Sequence, residues 1–302
     1  MKTALLIHNP GAGDQETSKD SLLKLLYRHG YTCGYFSTKD DDWQELDPAA
    51  ELIIVAGGDG TTGKVVRALV KTKLNGQIPL ALLPSGTANN IASSLGIRGT
   101  MEDIIAGWQP GLIKPFDLGL FHQEKDELFL EGIGFGLFPK LIKEMKQYNN
   151  KMDSAEEALQ TALQTLHTIT ATAKSRFCKL ELDGQDHSGE YLLLEIMNTH
   201  SIGPNLVLAP QADTGDGEFD AVWIREDERN KLLEYLQHRL NKEDAQPPFH
   251  SVSCKRIFLE WAGAQWHLDD SINKVQKPPA AASIELLAGM IRFLIPAKTS
   301  SI

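Results

Sequence analysis

The sequence is poor in cysteine: Cys33, Cys178 and Cys254 are an odd number at wide spacings with no C-x-x-C pair. That argues against a disulfide framework or a zinc site and fits a reducing, cytoplasmic setting. No apolar run approaches the roughly 20 residues needed to span a bilayer, so any membrane contact is expected to be peripheral, at the inner membrane surface. Positive charge is also short, with 30 Lys and Arg against 40 Asp and Glu and a formal net charge of -10. Such a balance repels nucleic acid and anionic head groups alike, so no nucleic-acid partner is expected, and phosphate recognition would need local charge or backbone N–H groups. The opening "MKTALLIHNPGAG" has a lysine and a short apolar run that breaks at His8-Asn9-Pro10, too soon for a signal segment; it reads as a first strand. There is no low-complexity tract and no repeat beyond βα units.

The chain of 302 residues, 42% hydrophobic and 23% charged, has ordinary globular composition, and its length favours two domains. Three times in the first half an apolar run meets a glycine-rich turn and a helical pattern: "TALLIHNPGAG", "ELIIVAGGDGTTGKVVRALV" and "IPLALLPSGTANNIASSLGI". The runs Leu52 to Val55 and Leu80 to Leu83 do not alternate with polar residues, as expected of parallel strands covered on both faces. Right-handed crossovers would put all three turns on one sheet edge. After about residue 117 come the strand-like runs "ELFLEGIGF", "FCKLELDG", "YLLLEIMN", "FDAVWI" and "RIFLEW". The expected fold is therefore an α/β nucleotide-binding domain with a parallel sheet over 1–117, then a β-rich, antiparallel sandwich-like domain over 118–294; the tail from about 295 to 302 is free to return to the first. One long helix, about Met152 to Thr172, is expected inside the second, with Leu159, Leu163 and Leu166 on one face. "NKEDAQPPFH" reads as an exposed loop.

The stretch "LIIVAGGDGTTGKV", Leu52 to Val65, matches three phosphate motifs. A P-loop needs a Ser or Thr after its lysine for Mg²⁺, and that place holds Val65. A dinucleotide fold needs an acid about 20 residues on for the ribose, and "LALLPSGTANN" has no Asp or Glu. The third reading is GGDGT itself. Gly57, Gly58 and Gly60 let backbone approach a polyphosphate, Thr61 offers a hydroxyl and N–H at a helix start, and Asp59 brings a carboxylate that would need a cation between. The plainer alternative is a tight turn in which Asp59 caps the helix that follows.

With "HNPGAG" before it and "PSGTANN" after it, the sequence resembles the diacylglycerol kinase catalytic family, which includes bacterial lipid kinases and sphingosine kinases. "KPFDLGLF", "LAPQADTGDGEFDAVWI" and a late "HLDD" extend the resemblance over nearly the whole chain. It implies an ATP site between the domains, lined by Asn9, Gly13, Gly58, Asp59, Gly60, Thr61, Ser85, Gly86, Thr87 and Asn89. Thr87 and Asn89 have a second reading as caps of the helix "IASSLG". A lipid kinase needs a carboxylate to take the hydroxyl proton and Mg²⁺ to offset phosphate charge. Asp269, matching the first acid of the family's late D-G-E, is the implied base; otherwise Asp269-Asp270 is an exposed turn. Asp213 and Asp216 resemble the segment where bacterial relatives hold a structural Mg²⁺, or form a solvated turn.

Three acidic positions of the family pattern are lost: Lys64 after GGDGT, Asn90 after the third turn, and Ser271 after "HLDD". Lys64, expected in the first turn of its helix, is placed to meet phosphate. The implied activity is ATP- and Mg²⁺-dependent phosphorylation of a hydroxyl on diacylglycerol, a sphingoid base or another amphiphile drawn from the membrane surface. The rival readings are a binding protein that has lost turnover and an NAD kinase-like enzyme; a homodimer stays open.

Overall fold

The computed structural model describes residues 1–12, 18–40, 43, 48–109, 111–148, 152, 154–274 and 277–297. Gly13, one of the residues implied for the nucleotide site, lies outside them. The first unit comprises Met1–Asp117 and Ala288–Ile302, the second Leu118–Leu287.

The first unit alternates strand and helix: β1 (Lys2–His8), α1 (Lys19–Arg28), β2 (Tyr31–Ser37), β3 (Leu52–Gly57), α2 (Asp59–Thr72), β4 (Leu80–Pro84), α3 (Asn90–Ser94) and α4 (Met101–Gly107). Strands pair in the order β2, β1, β3, β4, all parallel, and Phe293 from late in the chain pairs parallel with Leu80 of β4. Every residue of β3 is buried, the continuous apolar run of a parallel strand. Helix α1 starts where the Ser18 hydroxyl accepts the Ser21 N–H at 3.2 Å, and buries Leu22 and Leu26, one turn apart. Helix α2 buries Val65, Val66 and Leu69.

The chain enters the second unit within β5 (Leu112–His122) and continues through β6 (Asp126–Phe129), β7 (Gly132–Phe135), α5 (Leu137–Met145), α6 (Ala155–Thr172), β8 (Arg176–Leu182), β9 (Gln185–Asp186) and β10 (Gly189–Met197). There follow β11 (Ser201–Ile202), β12 (Leu206–Val207), β13 (Phe219–Arg225), α7 (Arg229–Leu240), β14 (Ser251–Cys254), β15 (Arg256–Trp261), β16 (Gln265–Leu268), β17 (Ser271–Lys274) and β18 (Ala280–Ile295). Pairing here is antiparallel. Strand β10 pairs with β7, β8 and β13, β16 lies between β7 and β17, and β15 lies between β8 and β18.

The expected helix is α6, capped by the Ser154 hydroxyl, but the unit holds two further helices, α5 and α7. The run "ELFLEGIGF" is divided between β6 and β7. Within 241–250 most residues are exposed, yet Phe249 turns inward against Tyr235, edge to face at 6.5 Å between ring centres. The chain returns to the first unit at Ala288, earlier than about 295, and in the middle of β18. Just beyond, Gly289 takes a left-handed φ of 59° and donates its N–H to the buried carboxylate of Asp117 at 2.6 Å. No helix among the described residues is long and apolar enough to cross a membrane.

Candidate active site

In the first unit the three glycine-rich turns follow the C-terminal ends of β1, β3 and β4 and are bonded to one another. The Asn9 N–H donates to the Ala56 carbonyl at 2.9 Å, and the Ser85 N–H to that of Gly57 at 3.0 Å. The Asn9 amide donates to the Thr61 hydroxyl at 3.1 Å and accepts the Gly11 N–H at 3.1 Å. Gly58 and Gly86 lie backbone to backbone: a Cβ on Gly86 would sit 2.5 Å from the Gly58 Cα, and one on Gly58 would sit 2.9 Å from the Gly86 Cα. Only glycine at both places allows this approach.

Asp59 caps a helix, though not its own. Its carboxylate accepts the Asn90 N–H at 2.9 Å and the Ile91 N–H at 3.0 Å, the leading donors of α3. Asn89, the residue before α3, has a left-handed φ of 56° and makes no side-chain cap. Its amide closes on Gly86 instead, accepting that N–H at 2.9 Å and donating to that carbonyl at 2.7 Å. Gly58 precedes α2 with no side chain to cap it, so the start of this 14-residue helix presents backbone donors at an edge carrying partial positive charge. Gly60 and Thr87 are exposed, Ser85 is half-buried, and Thr61 is buried. Lys64 is exposed and lies in the second turn of α2, not the first, because the helix already starts at Asp59. His8, to which the sequence analysis gave no role, is buried beside the first turn with Nδ1 3.1 Å from the Tyr35 hydroxyl. Burial lowers its pKa below the ordinary value.

In the second unit, Asp269 and Asp270 form the two-residue connection between β16 and β17, whose paired ends are Leu268 and Ser271. The segment is a turn and not an extended strand; Asp269 is half-buried and Asp270 exposed. Asp269 has a left-handed φ of 47°, and Asp270 is absent from the described non-glycine residues with positive φ. The turn therefore makes no demand for glycine at the second place, where the family pattern has one. The Asp269 carboxylate accepts the N–H groups of Leu130 at 3.0 Å and Glu131 at 2.9 Å, while its own N–H donates to the Gly132 carbonyl at 2.9 Å. The Leu130–Gly132 segment is braced in turn by Asn198, which donates its side-chain amide to the Leu130 carbonyl and its N–H to that of Glu131, each at 2.9 Å.

Behind the turn lie Glu195 and His267, both almost fully buried, with His267 Nε2 at 3.0 Å from a Glu195 carboxylate oxygen. Burial raises the Glu195 pKa. The same burial opposes charge on His267, but Glu195 holds the imidazole pKa above its ordinary value. Sequence reading gave this pair no role: His267 opens "HLDD", of which only the acids carried a reading, Glu195 sits inside the strand run "YLLLEIMN", and only the pairing of β10, β7 and β16 brings them together.

Asp213 and Asp216 each accept an N–H two residues on, from Gly215 at 3.1 Å and from Glu218 at 3.0 Å. Beside them Asp220 is buried, and burial, with Asp216 and Glu218 nearby, raises its pKa despite a bond to Ser251. Among the described residues no group of three or more His, Cys, Asp or Glu side chains is placed to hold a metal ion.

A parallel sheet with linked glycine turns, joined to an antiparallel β-rich unit, defines a class that comparison with solved structures narrows. A crystal structure of a diacylglycerol kinase from Bacillus anthracis str. Sterne superimposes with a TM-score of 0.72 over 97% of this chain and 96% of that one, at 22% identity. Residues 3–121 match the diacylglycerol kinase catalytic domain, and residues 143–269 the YegS C-terminal NAD kinase beta sandwich-like domain. A protein named probable lipid kinase YegS-like from Pseudomonas aeruginosa is 32% identical over 225 residues, 72% of this chain and 70% of that protein. A diacylglycerol kinase from Bacillus subtilis is 29% identical over 253 residues, 78% of this chain and 77% of the relative. The chain belongs to the family of lipid kinases built on the diacylglycerol kinase catalytic domain.

Proposed function

We propose that the protein transfers the γ-phosphoryl group of ATP to a free hydroxyl of diacylglycerol or a related amphiphile taken from the membrane surface. The observation that carries this reading is the bonding of three glycine turns into one edge, at which α2 begins without a side-chain cap and the hydroxyl-bearing Ser85 and Thr87 are partly or fully exposed, while buried Thr61 ties the first turn to the second through Asn9. Its donors suit phosphate and leave no need for a side-chain cation at the turn itself. Asp269 is the base: the carboxylate takes the acceptor hydroxyl's proton as its oxygen attacks phosphorus, and the bond from phosphorus to the ADP oxygen breaks. Backbone donors from Leu130 and Glu131 hold that carboxylate in one orientation before substrate arrives.

The donor set suits a magnesium ion held mainly by nucleotide phosphates and water, with one or two carboxylates, and not a cation caged by protein oxygens. Bound in this way, magnesium offsets phosphate charge. Asp213 and Asp216, the residues the resemblance offers for a separate structural ion, each spend an oxygen on a nearby backbone N–H and join no cluster of three such side chains among the described residues, so no ion is assigned to them.

A second reading, a lipid- or nucleotide-binding protein without turnover, draws on the three lost acids at Lys64, Asn90 and Ser271 and on the engagement of both Asp59 oxygens by α3. A transfer assay with radiolabelled ATP, saturating Mg²⁺ and a panel of lipids in mixed micelles decides between them. Label on a lipid supports the kinase; ATP binding with no label on any acceptor supports the second reading; label on NAD alone defeats both.

A further inference from the structure

Glu195, Gly134 and His267 stand side by side on three neighbouring strands, since Gly134 of β7 is the register partner of both Glu195 on β10 and His267 on β16. A Cβ on Gly134 would overlap the Glu195 carboxylate, so the glycine is the gap through which the two outer side chains meet. His267 then spends its other nitrogen on the turn: Nδ1 lies 2.8 Å from the Asp269 carbonyl oxygen. A carbonyl only accepts, so Nδ1 carries a proton and donates it. Asp269 holds a left-handed backbone, a conformation that a non-glycine residue keeps when its surroundings impose it. The Phe138 ring, 5.7 Å from the imidazole between ring centres, closes the pocket around His267.

We infer that Glu195 and His267, meeting across Gly134, are positioning residues that fix the backbone of Asp269 and thereby aim its carboxylate. The inference rests on the reading of Asp269 as the base. Glu195 orients the imidazole, the imidazole grips the Asp269 carbonyl, and the Leu130 and Glu131 N–H groups hold the carboxylate. Both residues act through Asp269.

Two variants separate positioning from mere packing. His267→Gln keeps a donor toward Glu195 and loses the one toward Asp269; His267→Asn combined with Glu195→Gln keeps a donor where Nδ1 stood and removes both ionisable groups. With radiolabelled ATP and dioleoylglycerol micelles, His267→Gln is expected to lower kcat at least about tenfold with both KM values unchanged, because small misplacements of a reacting group are costly. Amide exchange at Leu130, Glu131 and Asp269 is expected to quicken by a similar factor. The double variant restores both. Losses that follow melting temperature equally in the two variants, or an unchanged His267→Gln, overturn the inference. If Asp269→Asn retains full kcat, the base reading fails separately, and amide exchange alone decides whether the row positions the turn. The wild type supplies a test that needs no variant: nitrogen NMR of His267 must show a protonated Nδ1, and a bare Nδ1 overturns the inference.

Discussion

Gly58 and Gly86 are the residues on which the linked edge of glycine turns depends, because each occupies the space that a side chain on the other would need. Gly86→Ala puts a methyl group 2.5 Å from backbone and not against a flexible side chain, so the two turns must part. Titration calorimetry of a folded Gly86→Ala protein is expected to show ATP affinity lowered at least about tenfold, the loss of roughly one good hydrogen bond to a charged group; unchanged affinity would place the phosphates elsewhere. Asp59→Ala leaves the first two donors of α3 uncapped and should cost about 1 kcal/mol, with a range of roughly 0.5–2, in chemical denaturation. Asp59→Asn should cost less, since one acceptor oxygen survives. GGDGT marked Asp59 as a residue to watch, but its partners could not be read locally: Asn90 and Ile91 arrive only after a whole crossover. Lys64 shows the converse, a legible charge whose place depends on where the helix begins.

Among the elements, the parallel strands were legible from their unbroken apolar runs and α6 from its leucine stripe. Helix α7 was not. It buries Leu232, Tyr235 and Leu236 along one narrow stripe of an otherwise polar segment, "ERNKLLEYLQHRL", which reads equally well as solvated surface. Helix α5 follows directly on the glycine-rich β7, so its apolar residues merge with the strand pattern. At the β5–β6 hairpin, His122 bonds Asp126 at 2.8 Å and Glu285 of β18 at 3.2 Å; the bond to Asp126 first, then that to Glu285, raises the imidazole pKa above 6.5. A raised folded-state pKa gives stability that is full below the unfolded value and is lost as pH rises through the folded one. His122→Gln should therefore be less stable than wild type at about pH 5.5, by less than about 1 kcal/mol given its exposure, and equal to it at about pH 9. A difference that grows with pH would contradict the assignment.

Across the whole molecule, the division into two units follows the change in sequence texture near residue 117, whereas the return at Ala288 falls inside one strand and leaves no mark in composition. The net charge of -10 also constrains how a lipid is reached. Lowering salt strengthens repulsion between this chain and an anionic bilayer, so sedimentation with anionic vesicles is expected to weaken, not strengthen, as ionic strength falls. Stronger binding at low salt would reveal a local basic face that overrides the net charge. The most direct measurement is phosphoryl transfer from radiolabelled ATP to dioleoylglycerol and other lipid acceptors in mixed micelles, by wild type and Asp269→Asn side by side. We expect the wild type to label a lipid and Asp269→Asn to lose at least about 10²-fold in kcat while keeping its ATP affinity. A wild type that labels no lipid at saturating Mg²⁺, or an Asp269→Asn protein that transfers at the full rate, would contradict the assignment of a lipid kinase with Asp269 as its base.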